Sequence, residues 1–259
     1  MKRGQITLFI IIALVLVASV VLLFKFKDDI IQQASKVEIT RELTMTQEVR
    51  KVQSNLKDCT KGIAELGLIV MGLQGGYTQL SHEIKYTNTQ TSMEYIPYFG
   101  TAFFYYKGQN LVPTKEIMQK QLENFITSNF ITCEKQYPGL KIDYGKINTS
   151  VKIENEKIIL NINSNIKVRK EKIESGFNNI MIELPIRLGI IQNVSNNIVQ
   201  EQIKISKEDI CVSCISRIAA KNNILVDIKK INEDVFYTLT DKKSKIGDYD
   251  YIFMFANKF

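Results

Sequence analysis

The chain starts with a long apolar run that has basic residues on both sides. Ile6 to Phe24 contains nineteen consecutive uncharged residues. As a helix, this run would extend roughly 28 Å, close to the ~30 Å hydrocarbon thickness of a bilayer. A cleavable signal peptide usually has an apolar core of only about 7–15 residues and a small-residue cleavage site, and no such site follows here. The pattern predicts a membrane anchor over residues 1–27.

Basic residues near the ends of this run set its orientation. Lys2, Arg3 and the amino terminus precede it, while Lys25 and Lys27 follow it beside two aspartates. Acidic residues count for little, so the terminal amino group makes the difference between the two sides. We therefore expect a cytoplasmic N-terminus, a single pass through the cell membrane and an extracytoplasmic remainder.

A stalk and a long amphipathic helix are predicted after the anchor. The alternation of residues 36–40 favours an extended segment within a stalk at 28–46, and Thr44 to Gln47 matches a capping box. Eight apolar residues then recur at spacings of three and four, and Gly75-Gly76 ends the pattern. They are Val49, Val52, Leu56, Cys59, Ile63, Leu66, Val70 and Leu73. Since they cover only about three and a half heptads, the core face of a globular helix is favoured over a coiled-coil seam.

The rest of the chain alternates blocks of strands with blocks of helices. Strands are predicted at 95–100, 101–106, 140–145, 147–156, 158–168, 178–184, 224–231, 235–240 and 249–257. Helices are predicted at 115–137, 186–203 and 207–222. This order predicts that residues 47–259 form an extracytoplasmic α+β domain of helices packed on a mainly antiparallel sheet.

The formal net charge of +7 does not indicate a nucleic-acid partner. Four of the basic residues flank the apolar run, which leaves +3 of the +7 for residues 28–259. The short basic clusters at 167–170 and 242–245 fit a solvated surface better than a phosphate-binding track. The expected partners are therefore the lipid bilayer, through Ile6–Phe24, and a protein or a second copy of the chain.

Four cysteines predict two disulfides if the domain lies outside the cytoplasm. Three pairings are possible. We favour Cys211–Cys214 as a local pair and Cys59–Cys133 as a link between the first two helices of the domain.

The segment Cys211-Val212-Ser213-Cys214 has two further interpretations. A redox motif is one, because a helix N-terminus lowers the pKa of a thiol. Such motifs follow a strand in a βαβ unit, whereas 206–210 resembles a helix start with two acidic residues. A zinc site with Cys59 and Cys133 is the other, but the second pair lacks CxxC spacing. A structural disulfide is preferred, with neither metal nor cofactor.

Catalytic motifs are not evident, and we expect no enzyme activity. His82 is the single histidine, so an HExxH site is excluded, and no G-x-S-x-G elbow is present. Gly75-Gly76 lacks the following Lys-Ser/Thr of a phosphate-binding loop. Seven aromatic residues within 95–106 are expected to fill a core, although an exposed set could bind sugars or a protein. Asn148 and Asn193 begin sequons that could be glycosylated outside the cell, although such triplets arise often by chance in an Asn-rich chain.

Four segments resemble an uncharacterised group of archaeal single-pass membrane proteins. They are Lys2–Ile12, Gly72–Tyr77, Pro185–Gly189 and Ile210–Cys214. The resemblance implies an archaeal cell-surface protein and carries no catalytic residues with it.

The N-terminus also resembles a class III (type IV pilin-like) signal, in which a basic residue and a glycine precede the apolar helix. The resemblance implies cleavage after Gly4 by a prepilin peptidase. Phe9 stands where pilins usually have a glutamate, five residues after the cut.

Three functions are therefore considered. The preferred one is a membrane-anchored surface protein with a structural, assembly or recognition role. The alternatives are a pilin-like filament subunit processed after Gly4 and an extracytoplasmic thiol-disulfide oxidoreductase.

Overall fold

The computed structural model describes residues 43–80, 85–86, 100–205 and 210–259. The predicted anchor at 1–27 and most of the predicted stalk lie outside these residues. Within the described part, no helix is both long and apolar enough to cross a bilayer.

Helix α1 is helical from residue 43 to residue 73. The start predicted at the Thr44–Gln47 capping box is wrong, because residues 43–46 are already helical and Met45 is buried. In its first half, α1 buries the predicted apolar residues Val49, Val52 and Leu56. This half confirms the core-facing interpretation of the stripe.

The second half of α1 buries a different line of residues from the predicted one. Ala64 and Leu68 are fully buried, whereas Leu66 is 54% exposed. A seven-residue repeat drifts by about 20° per heptad on a straight α-helix, so the predicted stripe rotates away from the core. On the buried side, a Cβ on Gly72 would lie 2.2 Å from the carbonyl oxygen of Ile252. The backbone of α1 therefore lies directly against a strand at this position.

Ten strands and three further α-helices follow α1 in the described residues. In chain order they are β1 (Lys85–Tyr86), β2 (Thr101–Tyr106), β3 (Gln109–Asn110), α2 (Lys115–Asn129), β4 (Lys141–Asp143), β5 (Asn148–Ile153), β6 (Ile158–Lys170), β7 (Ile173–Leu184), α3 (Leu188–Lys204), α4 (Val212–Ala220), β8 (Leu225–Ile231), β9 (Asp234–Ile246) and β10 (Tyr249–Lys258). A short 3-10 helix, Phe130–Cys133, extends α2.

The strands form two sheets. The first has the order β1-β2-β10-β9-β8, with β3 also paired to β2. In the second, the long strand β6 pairs with β4 and β5 along one edge and with β7 along the other. The pair β2–β10 is parallel, and the other described pairs are antiparallel. The chain is therefore an α+β protein with mixed strand pairing, and the predicted class is confirmed at that level.

One hydrophobic core joins both sheets to the four helices. It contains Leu56 and Leu68 of α1, Leu160 of β6, Ile191 of α3 and Phe253 of β10, all at most 1% exposed. Continuous burial across both sheets indicates one folding unit for the described residues.

Helix α2 covers the open edge of β5. Gln119 Oε1 accepts a hydrogen bond from the backbone N–H of Ile153 at 2.9 Å, and Glu123 Oε1 accepts one from Val151 at 3.1 Å. An unpaired strand edge can pair with another chain, and these two side chains occupy its donors.

Candidate functional site

The cysteine pairs are those favoured from the sequence. Cys59 is bonded to Cys133 with the two Cα atoms 5.7 Å apart, and Cys211 is bonded to Cys214 with a Cα separation of 5.3 Å. No free cysteine remains in the described residues.

The Cys59–Cys133 bond attaches the middle of α1 to the end of α2. Cys133 lies in the 3-10 turn after α2 and is buried. The predicted helix continued to Tyr137, but α2 ends at Asn129 and the tighter turn places the sulfur toward α1. Closing a loop of 74-residue separation contributes about 4 kcal/mol in the chain-entropy model.

Helix α1 contacts both sheets, one on each side of this disulfide. Before it, Glu48 forms an ion pair with Lys170 at the end of β6, with a distance of 3.3 Å. After it, the hydroxyl of Tyr251 in β10 donates a buried hydrogen bond to the backbone carbonyl of Leu68 at 3.0 Å. Helix α1, the first described helix after the predicted anchor in the sequence, is thus fixed to both sheets.

Cys211 is the N-cap residue of α4. Its Sγ accepts a hydrogen bond from the backbone N–H of Cys214 at 3.2 Å and lies 3.6 Å from Ser213 Oγ. The helix predicted from Lys207 is wrong in its start, because α4 begins at Val212 and residues 206–209 lie outside the described part. Residues 210 and 211, directly before α4, are not helical.

Helix α4 sits at the periphery of the fold. It buries only Ile215 and Ala219 into the core, while Val212 is 56% exposed and Ser213 is also exposed. It follows α3 and precedes β8, which is not the βαβ context of a thioredoxin motif. The cysteine pair is accessible from the solvent side of the helix end.

A buried ion pair, which the sequence analysis did not find, joins α3 to β9. Arg187 Nε lies 2.9 Å from Asp241 Oδ2 and Nη2 lies 2.7 Å from Oδ1. Arg187 also donates to the carbonyl of Asn222, and Asp241 accepts from Ser244 Oγ and from the N–H of Lys243. The hydrogen bonds that Arg187 donates to Asp241 raise the pKa of Arg187 above its ordinary value and help to hold the pKa of Asp241 below its own, so both groups are charged at neutral pH.

Asp241 lies on the buried side of β9, in phase with Tyr237 and Leu239, and a β-bulge follows it. Tyr251 pairs with Asp241 and Asp250 pairs with Lys245, so residues 242–244 have no partners in the ladder. The bulge returns Ser244 to the buried side, where its hydroxyl donates a hydrogen bond to Asp241. These hydrogen bonds connect the cap of α3, the carbonyl of Asn222 and β9.

The described aromatic residues of 95–106 belong to cores, as preferred from the sequence. Phe104 stacks on Phe255 with ring centroids 4.5 Å apart, and Phe103 stacks on Tyr106 at 4.9 Å. Tyr105 is half-buried. Tyr95, Tyr98 and Phe99 lie outside the described residues.

Two of the remaining candidate residues, Asn148 and Asn193, lie on different elements. Asn148 is exposed at the start of β5 and Asn193 is exposed on α3. Gly4 and His82 lie outside the described residues. Within the described ranges, no three metal-binding side chains come together.

Comparison of the sequence with family models, with curated proteins and with solved structures gives no match.

Proposed function

We propose that the chain is a membrane-anchored, extracytoplasmic α+β head with a structural, assembly or recognition role at an archaeal cell surface. The apolar run Ile6–Phe24 would hold it in the bilayer. The archaeal source rests on the resemblance of its sequence segments alone.

The Cys59–Cys133 disulfide is the observation that carries this proposal. Disulfides persist in oxidising compartments and are rare in the cytosol, so this bond supports an extracytoplasmic location. It also supports a mechanical role, because it bonds α1 covalently to the turn after α2, at a position between the contacts of α1 with the two sheets. A force applied through the anchor would be transmitted to both sheets and would not detach α1 from them.

Cysteine labelling in intact cells tests the location. The native cysteines are paired, and a disulfide does not react with a maleimide, so a new cysteine at an exposed position reports its own side of the membrane. Tyr249→Cys is suitable because Tyr249 is 83% exposed at the β9–β10 turn. A membrane-impermeant maleimide should label it in intact cells.

Gln5→Cys is the matched control for the opposite side, and it should be labelled only after lysis. Labelling of Tyr249→Cys only after lysis would overturn the extracytoplasmic proposal. Four reactive native thiols without reduction would overturn it as well.

A pilin-like subunit processed after Gly4 is the second candidate. It is favoured by the early helix, because α1 already includes residue 43 and packs on the sheets of the head. Pilin-like subunits have a long N-terminal helix that continues from the membrane into the head. N-terminal sequencing of the mature protein separates the candidates: a start at Gln5 supports processing, and an intact Met1 excludes it.

A further inference from the structure

The two disulfides differ in what they hold together. Cys59–Cys133 joins two helices across a separation of 74 residues, with Cys133 buried. Cys211–Cys214 spans three residues at the end of a peripheral helix. Closing so small a ring restricts the unfolded chain far less than closing the long loop does. The local bond is therefore the one whose opening disturbs the fold least.

Its surroundings also favour a thiolate on one of the two sulfurs. Cys211 is the N-cap of a nine-residue helix, and the N–H of Cys214 already points at its Sγ from 3.2 Å. A helix N-terminus stabilises negative charge, because its free N–H groups and the dipole both face the cap. The same N–H would stabilise Cys211 as a thiolate after reduction.

The Cys211–Cys214 disulfide lies close to solvent at the N-terminal end of α4. Val212 and Ser213, the two residues between the cysteines, are exposed. Both sulfur-bearing residues are half-buried rather than enclosed. Exposed disulfides are the ones that exchange with external thiols, whereas enclosed ones resist reduction.

We propose that Cys211–Cys214 is a thiol-disulfide exchange site that reacts with a dithiol of a partner protein. A thiolate of the partner attacks Cys211 Sγ, the S–S bond breaks, and Cys214 leaves as a thiolate that takes a proton from water. The second partner thiol loses its proton and attacks the partner sulfur of the mixed disulfide, which releases Cys211 as the thiolate at the helix end. Two electrons pass to the chain, and the partner becomes a disulfide.

Differential reduction of the full chain in detergent micelles tests the proposal without any substitution. The chain is incubated with dithiothreitol under native conditions, quenched with acid, alkylated and mapped by mass spectrometry. We expect Cys211 and Cys214 to be alkylated at least about tenfold faster than Cys59 and Cys133, since exchange follows exposure and Cys133 is buried whereas the other three cysteines are half-buried. Equal rates, or earlier opening of Cys59–Cys133, would overturn the proposal.

Two matched single variants test the role given to Cys211. Cys214→Ser leaves Cys211 as a free thiol, and Cys211→Ser leaves Cys214, with circular dichroism confirming the fold of both. With glutathione disulfide at neutral pH, Cys211 should form the mixed disulfide at least about tenfold faster than Cys214, because its thiolate lies at the helix end. Equal rates would overturn the assignment. These experiments use purified chain, so their outcome is independent of the membrane topology in the proposed function.

Discussion

The guanidinium of Arg187 and the carboxylate of Asp241 form a two-point ion pair in which neither residue is more than 5% exposed. The two residues are 54 positions apart and belong to the helix cap of α3 and to the bulge of β9. Arg187 also donates to the carbonyl of Asn222, and Asp241 also accepts from Ser244 Oγ and from the N–H of Lys243. The pair fixes the junction between the second sheet, α3 and the first sheet.

Asp241→Asn should lower the free energy of unfolding by about 3–5 kcal/mol, because it leaves a buried guanidinium without its counter-charge. Urea denaturation with both disulfides intact measures the loss. Arg187→Met should cost a similar amount for the converse reason. The double variant should lose less than the sum, since it leaves no unpaired charge.

Glu183→Gln is the control for this experiment. Glu183 pairs with Lys157 at 2.9 Å, but both side chains are well exposed to solvent. Exposed pairs contribute little, so the midpoint of unfolding should hardly change. A loss in Glu183→Gln equal to that in Asp241→Asn would contradict the importance given to burial.

The contribution of Asp241 should disappear in acid. Burial disfavours its ionised form, but Arg187, Ser244 and the N–H of Lys243 together hold the pKa of Asp241 below its ordinary value. The folded state therefore binds the proton more weakly than the unfolded state, whose carboxyl pKa is about 4. The stability difference between wild type and Asp241→Asn should be constant above about pH 5 and should shrink as the pH falls through the folded-state pKa. Equilibrium urea unfolding of both proteins across this pH range checks the prediction. The two proteins share all other carboxylates, so the contributions of those groups cancel in the difference.

The contribution of Tyr251 to the free energy of unfolding should disappear in base and not in acid. Burial raises the pKa of Tyr251 far above its ordinary value of 10. Tyr251→Phe removes the hydrogen bond to Leu68 and should cost about 1 kcal/mol at neutral pH. Above pH 10 the unfolded chain ionises this group and the folded chain does not, so the wild type should lose about 1.4 kcal/mol per pH unit relative to the variant.

The two stability curves should therefore cross near roughly pH 11. Burial also raises the pKa of Tyr237 to about 12, but this residue is present in both proteins and cancels in the comparison. Parallel curves up to that pH would contradict the assignment of Tyr251 as a buried neutral phenol.

Much of the fold follows from local patterns. The run of aromatic residues in 101–106 predicted the bounds of β2, and Pro113 with Thr114 predicted the start of α2, where Thr114 Oγ1 accepts from the N–H of Ile117. Such signals act between residues close in sequence, so the sequence alone predicts them.

The features that the sequence did not predict depend on contacts between distant residues. Asp241 lies on the buried side of β9, two residues after Leu239, and Arg187 reaches it from the cap of α3, 54 residues away in sequence. No local pattern pairs residues so far apart. Likewise, the spacing of Leu66 fits the stripe of α1, but the close approach of β10 at Gly72 decides which side of the helix is buried. The predicted strand ended at Thr240, whereas β9 continues to Ile246. The bulge interrupts the alternation of apolar and polar residues from which a strand is predicted.

Two glycines of α1 provide a matched pair that tests this packing. Gly72→Ala places a Cβ 2.2 Å from a backbone carbonyl, and overpacking of this kind should cost about 1–3 kcal/mol. Gly62→Ala meets no atom within 4 Å and should stabilise the protein by up to about 1 kcal/mol through helix propensity. Urea unfolding of both variants should give shifts of opposite sign. Stabilisation by Gly72→Ala would contradict the contact between α1 and β10.

The two disulfides should differ in their effect on stability. Replacing Cys59 and Cys133 by serine removes the long-loop constraint and should lower the free energy of unfolding by about 4 kcal/mol. Replacing Cys211 and Cys214 by serine removes a four-residue ring and should cost about 2 kcal/mol at most. The loss at Cys59–Cys133 should also expose α1 locally, so amide hydrogen exchange should accelerate around Leu56 and Thr60, which are buried beside the bond. An equal loss in the two double variants, or unchanged exchange in α1, would show that the hydrophobic contacts of α1 suffice to hold it without the covalent link.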